Sequence, residues 1–92
     1  MPYFVYIIQS QYDGSFYIGS TQNLSERINR HNQGRSNYTR PKRPWRLVYS
    51  EQFPDRSSAT GREKALKRQK SKTFIENLIT SADTSEELDK GA

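Results

Sequence analysis

The sequence predicts an α+β domain: a three-stranded, mostly antiparallel β-sheet flanked by helices in the order β-β-α-β-α-α, the cheapest arrangement for three strands and three helices. Three observations carry that prediction. Two aromatic and β-branched runs, Tyr3–Gln9 and Ser15–Ser20, flank an Asp13-Gly14 dipeptide, the turn chemistry that reverses a chain at least cost. The stretch "WRLVYSEQF" alternates, with Leu47, Tyr49 and Phe53 on one side and Val48 on the other, as a half-buried strand does. Two later stretches begin with capping pairs, Asn23 with Glu26 and Thr60 with Glu63, the signature of a helix start.

Taken in order, a two-residue turn at Asp13-Gly14 pairs Tyr12 with Ser15, so even positions of the first strand share a face with odd positions of the second. Tyr6, Ile8, Tyr17 and Gly19 then line one surface, with Gly19 opposite Ile8; a register slipped by one residue reverses the face. The first helix, Asn23–Gln33, is stopped by Gly34. Leu24 and Ile28 share its inner face, and Arg27 and His31 form a neighbouring stripe. Residues 35–44, "RSNYTRPKRP", form a basic loop in which two prolines forbid regular pairing. After the third strand, a second helix begins between Ser57 and Thr60. Phe74–Ile79 makes a third, packing Phe74, Ile75, Leu78 and Ile79. Residues 1–80 are read as one domain, and 81–92 as an acidic, disordered tail.

Leu, Ile, Val and Phe total 17 of 92 residues, a small aliphatic core, but ten of the eleven aromatics lie between Tyr3 and Phe53 and can supply buried area there. The net charge of +5 conceals an asymmetry: fourteen Lys/Arg against five Asp/Glu in residues 1–75, one against five in 76–92. A concentrated positive surface attracts polyanions, nucleic acid foremost. The absence of cysteine excludes disulfides and thiolate metal sites. No apolar run is long enough for a membrane helix and no signal peptide is recognisable, so the cytoplasm is the expected address.

Two features invite a chemical reading. Two phenols, Tyr6 and Tyr17, meet beside a missing side chain at Gly19; glycine within a strand marks either close approach of a ligand or a bulge. Glu63 shares a helical stripe with the apolar Ala59 and Leu66, where a carboxylate is expensive unless paired or bound to a metal. Arg62, Lys64 and Lys67 point elsewhere by spacing, yet stay within reach of it. No Walker loop, dinucleotide glycine motif or serine–histidine constellation is present.

These residues carry a resemblance. "VYI" with Tyr6, "YIG" at Tyr17–Gly19, "NLSERINRH" with Arg27 and His31, and "REKALK" with Glu63 resemble, in order and spacing, the GIY-YIG endonuclease superfamily, nearest to its small stand-alone bacterial members. The likeness covers roughly residues 2–79 and implies a divalent-metal-dependent endonuclease that hydrolyses DNA phosphodiester bonds, in repair or processing. It matches Glu63 to the ligand of a single Mg²⁺ or Mn²⁺ and Arg27 to the cation that steadies the charged phosphate. Tyr6, Tyr17 and His31 match the groups that handle the proton of the attacking water. Phe4 stands where the first glycine of the name motif falls, and Ser20 where some repair-type relatives carry lysine. The substrate is DNA, with single-stranded and branched forms both in view. Gly19, Arg35, Tyr38, Arg40, Lys42 and Arg43 are the expected nucleic-acid contacts, cations on phosphates and the Tyr38 ring on a base. The alternative is a basic nucleic-acid-binding module with a weak or decayed nuclease site.

Overall fold

The computed structural model describes residues 2–69 and 71–91, with side chains as far as 81. Its elements are β1 (Tyr3–Ser10), β2 (Phe16–Thr21), α1 (Leu24–Asn32), a 3-10 turn (Arg40–Lys42), β3 (Trp45–Phe53), α2 (Arg56–Gln69) and α3 (Lys72–Gly91). The three strands form one antiparallel sheet in the order β2-β1-β3. The predicted α+β class and element order are those of the molecule.

β1 is the central strand, and its residues Val5 to Ile8 are fully buried. Alternation of its side chains divides the core into two. On one face Tyr6, Ile8 and Trp45 are packed against Tyr17, Leu24 and Ile28, the last two from α1. On the other face Val5 meets Ala59 and Leu66 of α2, with Tyr3, Ile18, Phe53, Phe74 and Leu78 around them. The small aliphatic count is thus offset by aromatics that serve both layers.

The hairpin differs from the sequence-based expectation in its turn. Phe4 pairs with Thr21, Tyr6 with Gly19 and Ile8 with Tyr17, so the register is displaced by two residues and Gly19 faces Tyr6 rather than Ile8. The loop is longer because Ser10 organises it. The Ser10 hydroxyl accepts hydrogen bonds from the Tyr12 and Asp13 amides at 3.0 and 3.1 Å, and the Ser10 amide bonds to the Ser15 carbonyl at 2.8 Å. Gly14 takes the left-handed conformation (φ +78°) that closes the reversal. A displacement of two preserves the face, and Tyr6, Ile8, Tyr17 and Gly19 remain together.

A second correction concerns β3. A bulge shifts its pairing with β1 between Ile7 and Ile8, so that Ile7 faces Tyr49 while Ile8 faces Leu47. The extra residue breaks strict alternation, placing Leu47 and Tyr49 on opposite faces. The helix starts also divide. In α1 the Asn23 side chain accepts from the Glu26 amide at 3.1 Å, half of the predicted pair, while the Asn23 amide bonds to the Thr21 hydroxyl at 3.2 Å in place of the Glu26 side chain. In α2 the cap is Asp55, whose carboxylate accepts from the Ser58 amide at 2.8 Å; Thr60 and Glu63 lie inside the helix, leaving Glu63 free of a capping role. α3 contains the predicted Phe74–Ile79 stretch. Its helical backbone continues to Gly91, over the segment where the sequence alone predicts a disordered tail, a stretch that includes good helix formers such as Glu86, Glu87 and Leu88. Residue 92 and the side chains from 82 onward lie outside the described residues.

Candidate active site

The pairing of Tyr6 with Gly19 accounts for the glycine in β2. A Cβ built on Gly19 would lie 2.5 Å from Tyr6 Oη and 2.7 Å from Cζ, closer than unbonded atoms approach. The phenol ring therefore lies across the neighbouring strand in space that any side chain would fill. Gly19 is itself buried, so it admits Tyr6 rather than presenting an open surface of its own.

Held there, Tyr6 enters a buried line of hydrogen bonds. Its hydroxyl meets His31 Nε2 at 2.9 Å, His31 Nδ1 meets the Thr39 hydroxyl at 2.8 Å, and the Thr39 carbonyl accepts from Trp45 Nε1 at 2.8 Å. Tyr6 and Thr39 are fully buried and His31 is nearly so. α1 supplies His31 because Leu24 and Ile28 anchor the adjoining stripe to the sheet. Tyr17 closes the group: its ring centroid is 6.5 Å from that of Tyr6, 5.1 Å from His31 in an edge contact, and 5.8 Å from Tyr38.

The electrostatics follow from burial. Desolvation pushes the Tyr6 phenol above its ordinary value, and the adjacent Arg27 guanidinium opposes that rise. Desolvation lowers His31, with the charges of Arg27 and Arg30 adding to the effect. The imidazole is therefore neutral at pH 7, with one nitrogen donating and one accepting. Between its usual value near 6.5 and the lower folded value, the unfolded chain binds a proton that the folded imidazole refuses. Its contribution to stability is thus complete above pH 6.5 and is lost as pH falls through the folded pKa. Denaturant titrations at pH 7.5 and pH 5 should show a smaller loss for His31→Gln than for the wild type; equal losses would contradict a buried neutral histidine.

Arg27 is the exception to good pairing. Its Nε is buried without a hydrogen-bond partner among the described residues, a costly state for a cationic donor and one that calls for an explanation. The rest of the guanidinium is engaged: hydrogen bonding to the Tyr6 phenol, first, raises the Arg27 pKa against the lowering effect of burial, and the Tyr17 and Glu63 sites add to the rise. Arg27 borders a small depression with Arg30, His31 and Arg35, an arrangement that suits an anion.

Glu63 approaches from α2 at the β2 edge. Its Oε1 accepts from the Ser20 hydroxyl at 2.7 Å and its Oε2 from Lys67 Nζ at 2.7 Å. The expectation that the neighbouring cations point away holds for Arg62, which forms a two-pronged pair with Glu51 at 2.9 and 3.0 Å. It fails for Lys67, one helical turn along and on the same side. Among the described residues no three His, Cys, Asp or Glu side chains gather as a metal cage. A single carboxylate whose Oε2 is held only by the half-exposed Lys67 fits a divalent ion of the kind that keeps waters and shares the remaining positions with substrate phosphates.

The expected nucleic-acid contacts are dispersed. Arg35 joins the Arg27 depression. Tyr38 is 68% exposed yet leans on Tyr17. Lys42 pairs with Asp13 at 3.4 Å, while Arg43 donates from Nε to the Arg40 carbonyl at 2.9 Å and Arg40 to Asn37 at 3.3 Å. Those three cations brace the loop as well as charging it. A cleft of about 780 Å³ opens beside β2, lined by Phe16, Tyr17, Tyr38, Leu66, Lys67 and Lys72 among others. Tyr17 and Lys67 connect it to the cluster. Thr39, Ser20 and Lys67 were not candidates from the sequence. Only Lys67 carried a usable signal, its spacing of four from Glu63.

The family described as the GIY-YIG catalytic domain matches residues 2–77. A UPF0213 protein of Desulfotalea psychrophila is 43% identical over 83 residues, covering 88% of this chain and 74% of the relative. A UPF0213 protein of Staphylococcus aureus is 39% identical over 66 residues, covering 71% of this chain and 79% of its own length. The solution structure of a UPF0213 protein from Bacillus halodurans superposes with a TM-score of 0.55 at 36% identity, over 87% of this chain and 84% of that one.

Proposed function

Because the chain belongs to the GIY-YIG family, a superfamily of nucleases, we propose that it is a divalent-metal-dependent endonuclease hydrolysing phosphodiester bonds of DNA, with Tyr6, Tyr17, Arg27, His31 and Glu63 as its catalytic set. The observation that carries this reading is the buried, unpartnered Arg27 Nε beside the Tyr6–His31 line. A fold that leaves a cationic donor unsatisfied next to a chain of proton-carrying groups is arranged for an anion whose charge grows during reaction.

Each residue then has a chemical task. Arg27 offers its guanidinium to a phosphate oxygen, where charge accumulates as water adds to phosphorus. Neutral His31 accepts at one nitrogen and donates at the other, so Thr39, His31 and Tyr6 form a line along which a proton can pass. Tyr17 lines the cleft beside that line and contacts His31 edge-on. Glu63 would hold the metal, with Ser20 fixing its other oxygen. When bound, the ion would supply charge neutralisation at the phosphate and a more acidic water. Arg35, Tyr38, Arg40, Lys42, Arg43 and the cleft cations Lys67 and Lys72 would receive the strand, Tyr38 by stacking.

The test is incubation of the purified chain with single-stranded, duplex and branched DNA in Mg²⁺ or Mn²⁺. Cutting that stops on chelation of the metal is the expected result. Salt-sensitive binding with no cutting in either metal would favour the alternative, a basic binding module.

A further inference from the structure

We propose that Lys67 is a tethered cation that holds the metal-binding oxygen of Glu63 while substrate is absent, and passes to a phosphate of the nucleic acid when the divalent ion arrives. The proposal rests on Glu63 being the metal ligand. Both carboxylate oxygens are engaged, Oε1 by Ser20 and Oε2 by Lys67, but the two partners differ in mobility. Ser20 is fixed on β2. Lys67 is 51% exposed at the end of a four-carbon stem, against 18% for Glu63. An exposed ion pair of this kind is weakly held, so Oε2 is the oxygen that can be released.

Release does not remove Lys67 from the site. Its ammonium already stands 6.0 Å from the Tyr17 ring centroid, and its side chain lines the cleft with Tyr17, Tyr38 and Lys72. A short swing moves the charge from Glu63 to the place where a strand would lie. Charge balance makes the two events cooperative. A divalent ion alone on Glu63 leaves two extra positive charges beside each other once Lys67 is counted, whereas an arriving phosphate neutralises one of them. Metal and nucleic acid should therefore each strengthen the binding of the other, reciprocally.

Mn²⁺ titration of the DNA-free protein, followed by electron paramagnetic resonance, tests this without reference to activity. Lys67→Met keeps length and helix propensity but removes the charge, and should bind Mn²⁺ about tenfold tighter than the wild type, within the usual range of coupling. Lys67→Arg should match the wild type, and Glu63→Gln should not bind. In saturating Mn²⁺, Lys67→Met should hold a cleavage-resistant phosphorothioate single strand more weakly than the wild type, with a salt slope shallower by about 0.7, the change expected when one fewer phosphate is neutralised. Equal Mn²⁺ affinity in Lys67→Met and wild type, with binding abolished in Glu63→Gln, would overturn the proposal and leave the metal assignment standing. No Mn²⁺ binding by any of the proteins would overturn both. Unchanged oligonucleotide affinity and slope in Lys67→Met would overturn the transfer to phosphate.

Discussion

An Arg27→Met chain is expected to fold about as stably as the wild type while cutting DNA more slowly by roughly 10²–10³-fold, the usual loss when one charge-stabilising donor is removed. The two halves of that result belong together. Most buried arginines are paired, and their removal destabilises because the partner is left alone in a low dielectric. Arg27 Nε has no partner to abandon, and the Tyr6 phenol beside its guanidinium keeps its own bond to His31 when the cation is gone. A structural arginine would show the opposite pattern, a fall in Tm with little specific effect on cleavage. Parallel measurement of Tm, DNA affinity and single-turnover cleavage separates the cases.

Gly19→Ala should be the most destabilising small substitution in the sheet. The new methyl would sit 2.5 Å from Tyr6 Oη and 2.7 Å from Cζ. Tyr6 cannot yield easily, since it is fully buried and its hydroxyl is bound to His31. Overpacking of about 1–3 kcal/mol, with loss of a hydrogen bond worth about 1 kcal/mol, gives about 2–4 kcal/mol in all. At 4–8 °C per kcal/mol for a domain of this size, Tm should fall on the order of 10–30 °C. A double-mutant cycle identifies the cause. In a Tyr6→Leu background the ring is gone, so the same Gly19→Ala change should cost little, giving a strongly non-additive cycle. An additive cycle would show that the glycine serves some purpose other than admitting Tyr6.

These two residues also show what a sequence can and cannot convey. The face shared by Tyr6, Tyr17 and Gly19 was legible because strand alternation has a period of two, and a register displaced by two residues returns the same face. What lies opposite Gly19 was not legible, since it depends on a loop built by the Ser10 side chain. Similarly, the stripe of Arg27 and His31 follows from helical spacing, but that Arg27 lacks a partner while His31 is bound at both nitrogens depends on Thr39 and Tyr6, eight and twenty-five residues from His31. The bulge in β3 is a local insertion that alternation cannot register. Glu63 was conspicuous because a carboxylate on an apolar stripe breaks the pattern of its helix. The Ser20 hydroxyl that meets it joins residues forty-three apart, a contact that only the folded sheet creates.

The central claim, that Glu63 holds the metal of a phosphodiester-cleaving site, is tested most directly by comparing wild type and Glu63→Gln for both cleavage and binding of the same DNA in Mn²⁺ or Mg²⁺. Metal-dependent cutting by the wild type, lost in Glu63→Gln while DNA binding survives, is the predicted result. Cutting that persists in Glu63→Gln would contradict the assignment.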